Sequence, residues 1–518
     1  MLGDSMKSIH LCVAVALAPT CLSAQQGSKP FRPASAPIRS VEPQYAITLT
    51  DTVAMRARVT ATLPYVGRRL SMDYWIPQRN LWRDRVLDLV VRDSAGRQLP
   101  VAPADSDAWE VAGAYAGRVT LDYVVDLGYT RDPMPIWKAK NLGFRFPGGA
   151  LLSARPFIIA ADTDETPSPR RIAITLPDGW DLAAPWTPEP RPASSPGVHT
   201  FTATSLLDLV RNSFVTGHFT RSIARRQSFT LTLALLDRMA RDASQVVTNA
   251  RSLLTQYQTL FPRTGTGTYL MALFYAEDGD GEAWERSAAL AFGDRIGPEN
   301  VMLFPNTIAH ELLHYWNPRR FAPADGEREG WLSEGFTEYY ANRAILRAGL
   351  WTRQQYLDKL ARHLGNYAYW WYSPVFAGVT IREAGLDKTK NRFGVYDGGA
   401  TVALCLDLLI RQRTGGTRSL DDVMRALFDF GATGKRYTYD DVVRVLVSVG
   451  GEEMRPFMTR YVSGRELLPF QLLLGDAAVA VRTSALGGEA YISSVASPTV
   501  SQTVLQAAWL GVPLGEHR

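Results

Sequence analysis

Two histidines four residues apart, His310 and His314, constrain this chain more than any other feature of its sequence. They lie in residues 307–316, Thr-Ile-Ala-His-Glu-Leu-Leu-His-Tyr-Trp, between Pro305 and Asn317-Pro318, which supply a natural start and stop for a helix. On a helix this spacing projects both imidazoles from one face about one turn apart, the separation at which two ring nitrogens reach one zinc ion. Glu311 lies next to them, where its carboxylate can take a proton from a water activated at the metal without itself coordinating. The competing reading is an amphipathic helix with two satisfied core histidines. Only seven histidines occur in 518 residues, which makes such a pair around a glutamate a rare accident.

A catalytic zinc takes three protein ligands and leaves a position for water, so a third ligand is needed. Residues 331–340, Trp-Leu-Ser-Glu-Gly-Phe-Thr-Glu-Tyr-Tyr, open a second helix after a loop long enough for the chain to reverse. Glu334 is the chosen ligand. Glu338, four residues on and on the same face, can instead hold a histidine N–H. Glu327 and Glu329 are rivals, in a loop whose Gly326 and Gly330 would hold a ligand loosely. One zinc per chain is expected.

The rest of the chain is read around this motif. At 518 residues, roughly two to four domains are expected. Residues 41–237 alternate apolar and polar positions in short runs punctuated by Gly, Pro, Asp and Ser, which predicts an N-terminal, all-β, sandwich-like region. From about residue 238 the period becomes helical, with Val246, Ala250, Leu253, Leu254 and Tyr257 on one stripe. Extended segments follow at 269–275 and through Trp284, Glu285 and Arg286 to Phe292, so 238–365 reads as an α+β domain carrying the metal helices. Residues 366–470 read as a C-terminal helical subdomain, with capped starts at Ser419/Asp422 and Thr438/Asp441. Residues 471–518 read as a tail.

The N-terminus carries Lys7, an apolar run from Leu11 to Leu17 and a small-residue stop near Ala24, which predicts a signal peptide over 1–24 followed by a polar linker over 25–40. The run is too short to remain as a membrane span. A secreted or periplasmic protein is therefore expected, with no transmembrane segment after signal removal. Cys12 and Cys21 would leave with the signal, leaving Cys405 with no partner for an internal disulfide; attachment of lipid at Cys21 is the minority alternative. The net charge of +5 comes from scattered residues, so nucleic acid is not an expected partner.

The residues from His310 to Arg320, followed by 331–340, resemble the glycyl aminopeptidase family, gluzincin zinc metallopeptidases related to aminopeptidase N and leukotriene hydrolase. The resemblance extends to Tyr396-Asp397-Gly398-Gly399, similar to that family's Tyr-x-Lys-Gly segment, and to Tyr461-Val462-Ser463-Gly464, and spans about residues 45–470. It implies a thermolysin-like peptidase domain, with His310, His314 and Glu334 as ligands. It also implies that Tyr396 is the phenol that hydrogen-bonds the developing oxyanion. In the segment 281–287, where the family carries a Gly-x-x-Glu strand motif, it implies that Glu285 binds the substrate's α-amine while the strand edge pairs with substrate backbone. The sequence departs from the family in its short loop between His314 and Glu334, in Arg286 after the motif glutamate, and in Gly398 at the lysine position. The PDZ-type module that often ends such chains is expected to be absent or vestigial after residue 470.

Together these readings favour a zinc aminopeptidase acting on peptide substrates. A zinc endopeptidase with the same centre and no amine clamp is the alternative among enzymes, and a noncatalytic peptide-binding relative is the alternative outside them.

Overall fold

The computed structural model describes residues 42–511 apart from 54, 73–81, 105–106, 128–142, 162–167, 191–196, 277–278, 294–299, 301 and 485–487. The expected signal segment and linker, with Cys12 and Cys21, lie outside the described residues.

The alternating N-terminal sequence folds as its period demands. In the strand Gln44–Asp51, Tyr45, Ile47 and Leu49 are buried while the residues between them face water. That strand joins a ten-stranded sheet built on two long antiparallel strands, Arg56–Ser71 and Ala108–Asp126, paired with Ala61 opposite Leu121. A four-stranded sheet, Gly143–Phe146, Gly149–Ser153, Asp181–Ala183 and Ser213–Gly217, covers it. Leu152 and Phe214 on one face of this smaller sheet share a core with Ile47, Val59 and Leu121. Leu151 and Val215 on its other face pack on Leu270, Ala272 and Phe274 of the next sheet. The smaller sheet is thus apolar on both sides, which is why its burial does not alternate.

That next sheet belongs to the half that carries the histidine motif. Its five strands run in the order Thr220–Arg226, Phe229–Leu235, Gly267–Ala276, Ser287–Gly293, Asp280–Ala283. Two corrections to the sequence reading follow. The strands over 220–235, expected in the N-terminal β region, belong here, because Phe229–Leu235 pairs in parallel with Gly267–Ala276. The extended segment expected through Trp284 to Phe292 is broken by a tight turn at 284–287, where Trp284 N–H donates to Ser287 O at 2.7 Å. The strand Asp280–Ala283 folds back antiparallel and forms the sheet's edge.

The helix Ala243–Leu260 lays its predicted stripe, Val246, Ala250, Leu253, Leu254 and Tyr257, into the main core with Phe229, Leu231 and Met271. Behind it stand the helices Thr337–Arg347, Arg353–Tyr372, Gly399–Arg413, Leu420–Gly431 and Tyr439–Gly450. The last two start with the capping boxes expected at Ser419/Asp422 and Thr438/Asp441. Arg353–Tyr372 crosses the boundary expected at 365/366, because it packs on both neighbouring groups of elements. Residues 470–510 are no loose tail: the helix Phe470–Asp476, the hairpin Val479–Thr483/Ala490–Ser494 and the helix Val500–Leu510 pack on the same core through Leu474, Val479 and Trp509. No helix among the described residues is long and apolar enough to cross a membrane.

Candidate active site

The motif helix Phe304–Leu313 begins with Pro305 in its first turn, where a missing N–H costs nothing, and ends at His314, which still has helical backbone angles. The four-residue spacing therefore does what the sequence implies. The His310 and His314 rings lie 4.8 Å apart and nearly perpendicular. Glu334 comes from a π-helical turn, Trp331–Phe336, that precedes the helix Thr337–Arg347. Its Oε2 is 3.3 Å from His310 Nε2 and 3.5 Å from His314 Nε2. One ligand atom from each residue lies within 4.8 Å of the others.

The hydrogen bonds on the far sides of the imidazoles tell which atoms are free to bind. His314 Nδ1 is 2.8 Å from the carbonyl oxygen of Asn317, which can only accept, so Nδ1 carries the proton and the Nε2 lone pair faces Glu334. His310 Nδ1 is held at 2.9 Å by Glu338 in the same way. Both Nε2 atoms and a carboxylate then face one spot, an arrangement that suits a bound cation or, on His310, a second proton. Burial alone would push the His310 imidazole down, but Glu334 and Glu338 outweigh it and lift it to about 10. The donor set fits a zinc ion, with two nitrogens, one carboxylate oxygen and a hydrogen-bonded outer layer.

Neither rival glutamate belongs to this cluster. Glu329 is buried, accepting from Trp331 Nε1 at 2.8 Å and pairing with Arg382 at 3.0 Å, and Glu327 faces solvent. Glu338 takes the supporting position. Its other oxygen binds Lys359 Nζ at 2.9 Å and lies 3.3 Å from His363 Nε2, and His363 Nδ1 reaches Asp397 at 2.7 Å. Lys359, His363 and Asp397 carry no motif signal; long-range packing alone gathers them.

Glu311 follows His310 on the motif helix and is buried. Its carboxyl is pushed up, chiefly by burial, with His314 and His310 opposing and the charges of Glu334 and Glu282 adding to the rise. The edge strand runs so close that a Cβ on Gly281 would fall 2.2 Å from Glu311 Oε1. A side chain on residue 281 would displace the carboxylate, which glycine leaves in place.

Tyr396 sits on a second π-helical turn, Gly394–Gly398. This turn is pressed against the turn that carries Glu334, since a Cβ on Gly335 would lie 2.4 Å from the backbone of Gly399 and one on Gly399 2.2 Å from Trp331 O. The Tyr396 ring therefore lies 6.1 Å from the His310 ring. Its hydroxyl keeps its proton, because burial and then Glu334 raise its pKa well above the usual value. Lys388, which the sequence reading missed, donates to Glu334 Oε1 at 2.7 Å and lies 5.1 Å from the Tyr396 ring. It puts an ammonium beside the pair despite the glycine at 398.

Glu285 and Arg286 fall in the tight turn rather than on a strand, so they do not point to opposite faces as strand neighbours would. Glu285 is 3.3 Å from Arg211, and Arg286 is bound to Asp208 at 2.9 Å. Glu282, on the edge strand next to Gly281, is a further acid of the cleft that sequence reasoning passed over. Metal donors, Glu311, Tyr396, Glu282 and Glu285 all line one cavity of about 1050 Å³.

Residues 304–371 match the M61 glycyl aminopeptidase family, and residues 44–217 match the peptidase M61 N-terminal domain. No curated protein matches the chain. Among solved structures, its fold is similar to an aminopeptidase N family protein from Idiomarina loihiensis at 20% identity and a TM-score of 0.70, covering 85% of this chain and 79% of that one. It is also similar to an M1 zinc metallopeptidase from Deinococcus radiodurans at 18% identity and a TM-score of 0.50, covering 83% of this chain and 95% of that one. A variant of that enzyme, 16% identical with the same TM-score and coverage, is bound to a Tyr-Ser-Ala substrate. The two family matches fall on the β sandwich and on the motif helices, and the neighbours share the arrangement of β-rich, mixed and helical parts, so the chain belongs to the glycyl aminopeptidase-like gluzincins, a family of peptidase hydrolases.

Proposed function

We propose that the protein is a zinc aminopeptidase that removes N-terminal residues from peptides, with His310, His314 and Glu334 as the metal ligands. When bound, zinc supplies the Lewis acidity that polarises water and the scissile carbonyl. Glu311 takes the proton of the attacking water, a task that its burial favours by making the carboxylate more basic. Tyr396 donates its O–H to the carbonyl oxygen as negative charge builds there. The substrate backbone adds along the outer strand of the sheet, Asp280–Ala283. The α-ammonium is held at the far end of that edge, by Glu282 and by Glu285, the carboxylate expected from sequence. Arg211 offsets part of the charge of Glu285, so the two carboxylates share the ammonium.

One observation carries this reading: Glu311 is wedged between the histidine pair and Gly281, so the base stands where a strand-added peptide would present its first bond. The test is hydrolysis of matched free and N-acetylated aminoacyl substrates, with metal content measured on the same sample. Equal cleavage of both would make the protein an endopeptidase, and no cleavage a peptide-binding relative. We also propose export by the N-terminal apolar segment, to the periplasm or outside the cell; sequencing the N-terminus of the mature protein checks it.

A further inference from the structure

The cleft does not end at the metal donors. One wall of the same cavity is built by Arg211, Arg286, Arg319, Arg320 and Arg436. Two of these are neutralised, Arg286 by Asp208 and Arg211 by Glu285. The other three have no carboxylate within ion-pair distance among the described residues. Arg319 donates to the carbonyl oxygen of Ala283 at 2.5 Å, and its Nε is buried without a hydrogen-bond partner. Arg320 lies over the Tyr315 ring at 4.3 Å. Arg436 reaches the carbonyl of Pro323 only at 3.5 Å and is exposed. The guanidinium groups crowd one another: Arg211 is pushed down to about 10, by burial first, with Glu285 opposing and Arg319 and Arg436 adding to the fall.

Carbonyl dipoles and a ring face satisfy donors but leave net positive charge on a concave wall. Its position is informative. Arg319 is fastened to Ala283, the last residue of the edge strand whose Gly281 touches Glu311, so a peptide lying along that edge passes the arginines within a few residues of the reacting bond. An ammonium there would be repelled and a neutral group would leave the charge unpaired. A carboxylate would make the forked contacts that guanidinium favours.

We infer that this arginine wall is a carboxylate-binding subsite, so that the peptides taken by the cleft are acidic at one residue or short enough to bring their own C-terminal carboxylate to it. The inference rests on the peptidase reading for the kind of ligand, and on Arg319, Arg320 and Arg436 for its charge. Charge-assisted contacts of this type are worth about ten- to a hundredfold in affinity.

The test uses the full zinc-loaded chain carrying Glu311→Gln, so that bound peptide is not consumed. Dissociation constants are measured by calorimetry for Ala-Ala-Ala as free acid and as C-terminal amide, and for amidated tripeptides with Glu or Gln at each position in turn. At least one acidic peptide is expected to bind about tenfold or more tightly than its neutral match. The first comparison assigns a terminal carboxylate and the second a side chain. The advantage should shrink with added salt and collapse in Arg319→Gln and in Arg436→Glu. Arg436 is exposed, so its variant keeps the test meaningful if Arg319→Gln fails to fold. Equal affinities in every pair, an advantage that survives both substitutions, or no binding of any peptide would overturn the subsite. Hydrolysis by the unmodified chain is scored separately: acid-selective binding with no cleavage would keep the subsite and remove the peptidase reading, whereas cleavage with no selectivity would do the reverse.

Discussion

Glu338 accepts the Nδ1–H of His310 at 2.9 Å with one carboxylate oxygen and the ammonium of Lys359 at 2.9 Å with the other. The contact fixes the tautomer that leaves Nε2 free for a metal. Glu338→Gln is therefore expected to weaken zinc binding about ten- to a hundredfold, the usual effect of removing an outer partner. Glu334→Gln, His310→Ala and His314→Ala, which remove a proposed ligand, should cost far more. Competition with a chelator of known affinity measures all four, and unchanged affinity in Glu338→Gln would deprive that contact of its role.

Glu311→Gln should keep zinc and the fold yet lose roughly a hundred- to ten-thousandfold in rate, because an amide cannot take the water's proton. Gly281→Ala should move in the same direction with zinc retained, since its Cβ would fall 2.2 Å from the Glu311 oxygen and push the carboxylate aside. Zinc analysis beside steady-state kinetics separates these effects from metal loss.

Tyr396→Phe removes a hydrogen bond that matters only as the carbonyl oxygen gains charge. Its expected signature is a fall of about a hundredfold in kcat with KM little changed. Lys388→Met differs by also lowering zinc affinity, because Lys388 binds the outer oxygen of Glu334 at 2.7 Å. A normal rate in Tyr396→Phe would return that ring to a packing role.

The amine anchor is tested by selectivity. The unmodified protein is expected to prefer a free N-terminus over an acetylated one by about ten- to a hundredfold. Glu282→Gln and Glu285→Ala should each reduce the preference, with zinc content unchanged in both. If only Glu285→Ala abolishes it, Glu285 is the anchor despite Arg211.

Acid stability has its own buried source. Asp421 pairs with Arg343 at 3.0 Å and accepts from Tyr340 at 2.9 Å. Burial alone would raise its carboxyl, but Arg343 and Arg347 overcome that and hold it well below the usual value. A depressed folded pKa gives stability that is complete above the unfolded value, about 3.9, and is lost as pH falls below it. Asp421→Asn should therefore destabilise the fold near neutrality, by less than the roughly 3–5 kcal/mol of leaving a buried charge alone, because Asp407 still pairs with Arg343 at 3.4 Å. The gap to the unmodified protein should narrow as pH drops from about 4 toward 2. Thermal unfolding across that range measures it.

The sequence by itself determined whatever depends on neighbours along the chain. The alternation of Tyr45, Ile47 and Leu49, the stripe on Ala243–Leu260, the caps at Ser419 and Thr438 and the one-face pairing of His310 with His314 are set by periods of two or 3.6 residues, which any reader of the chain can count. Residues 331–340 also offered Glu334 and Glu338, four residues apart, and both carboxylates lie beside His310 in the fold. The tertiary structure alone decided which contacts join segments far apart. It brought Gly399 against Trp331 and Gly335 so that Tyr396 faces His310, drew Lys388 to Glu334, linked His363 to Glu338 and Asp397, gave the strands at 220–235 to the peptidase sheet, and turned the chain at Glu285 so that Glu282 remained on the edge. These depend on loop closure and on space left by glycines, and neither leaves a periodic trace in sequence.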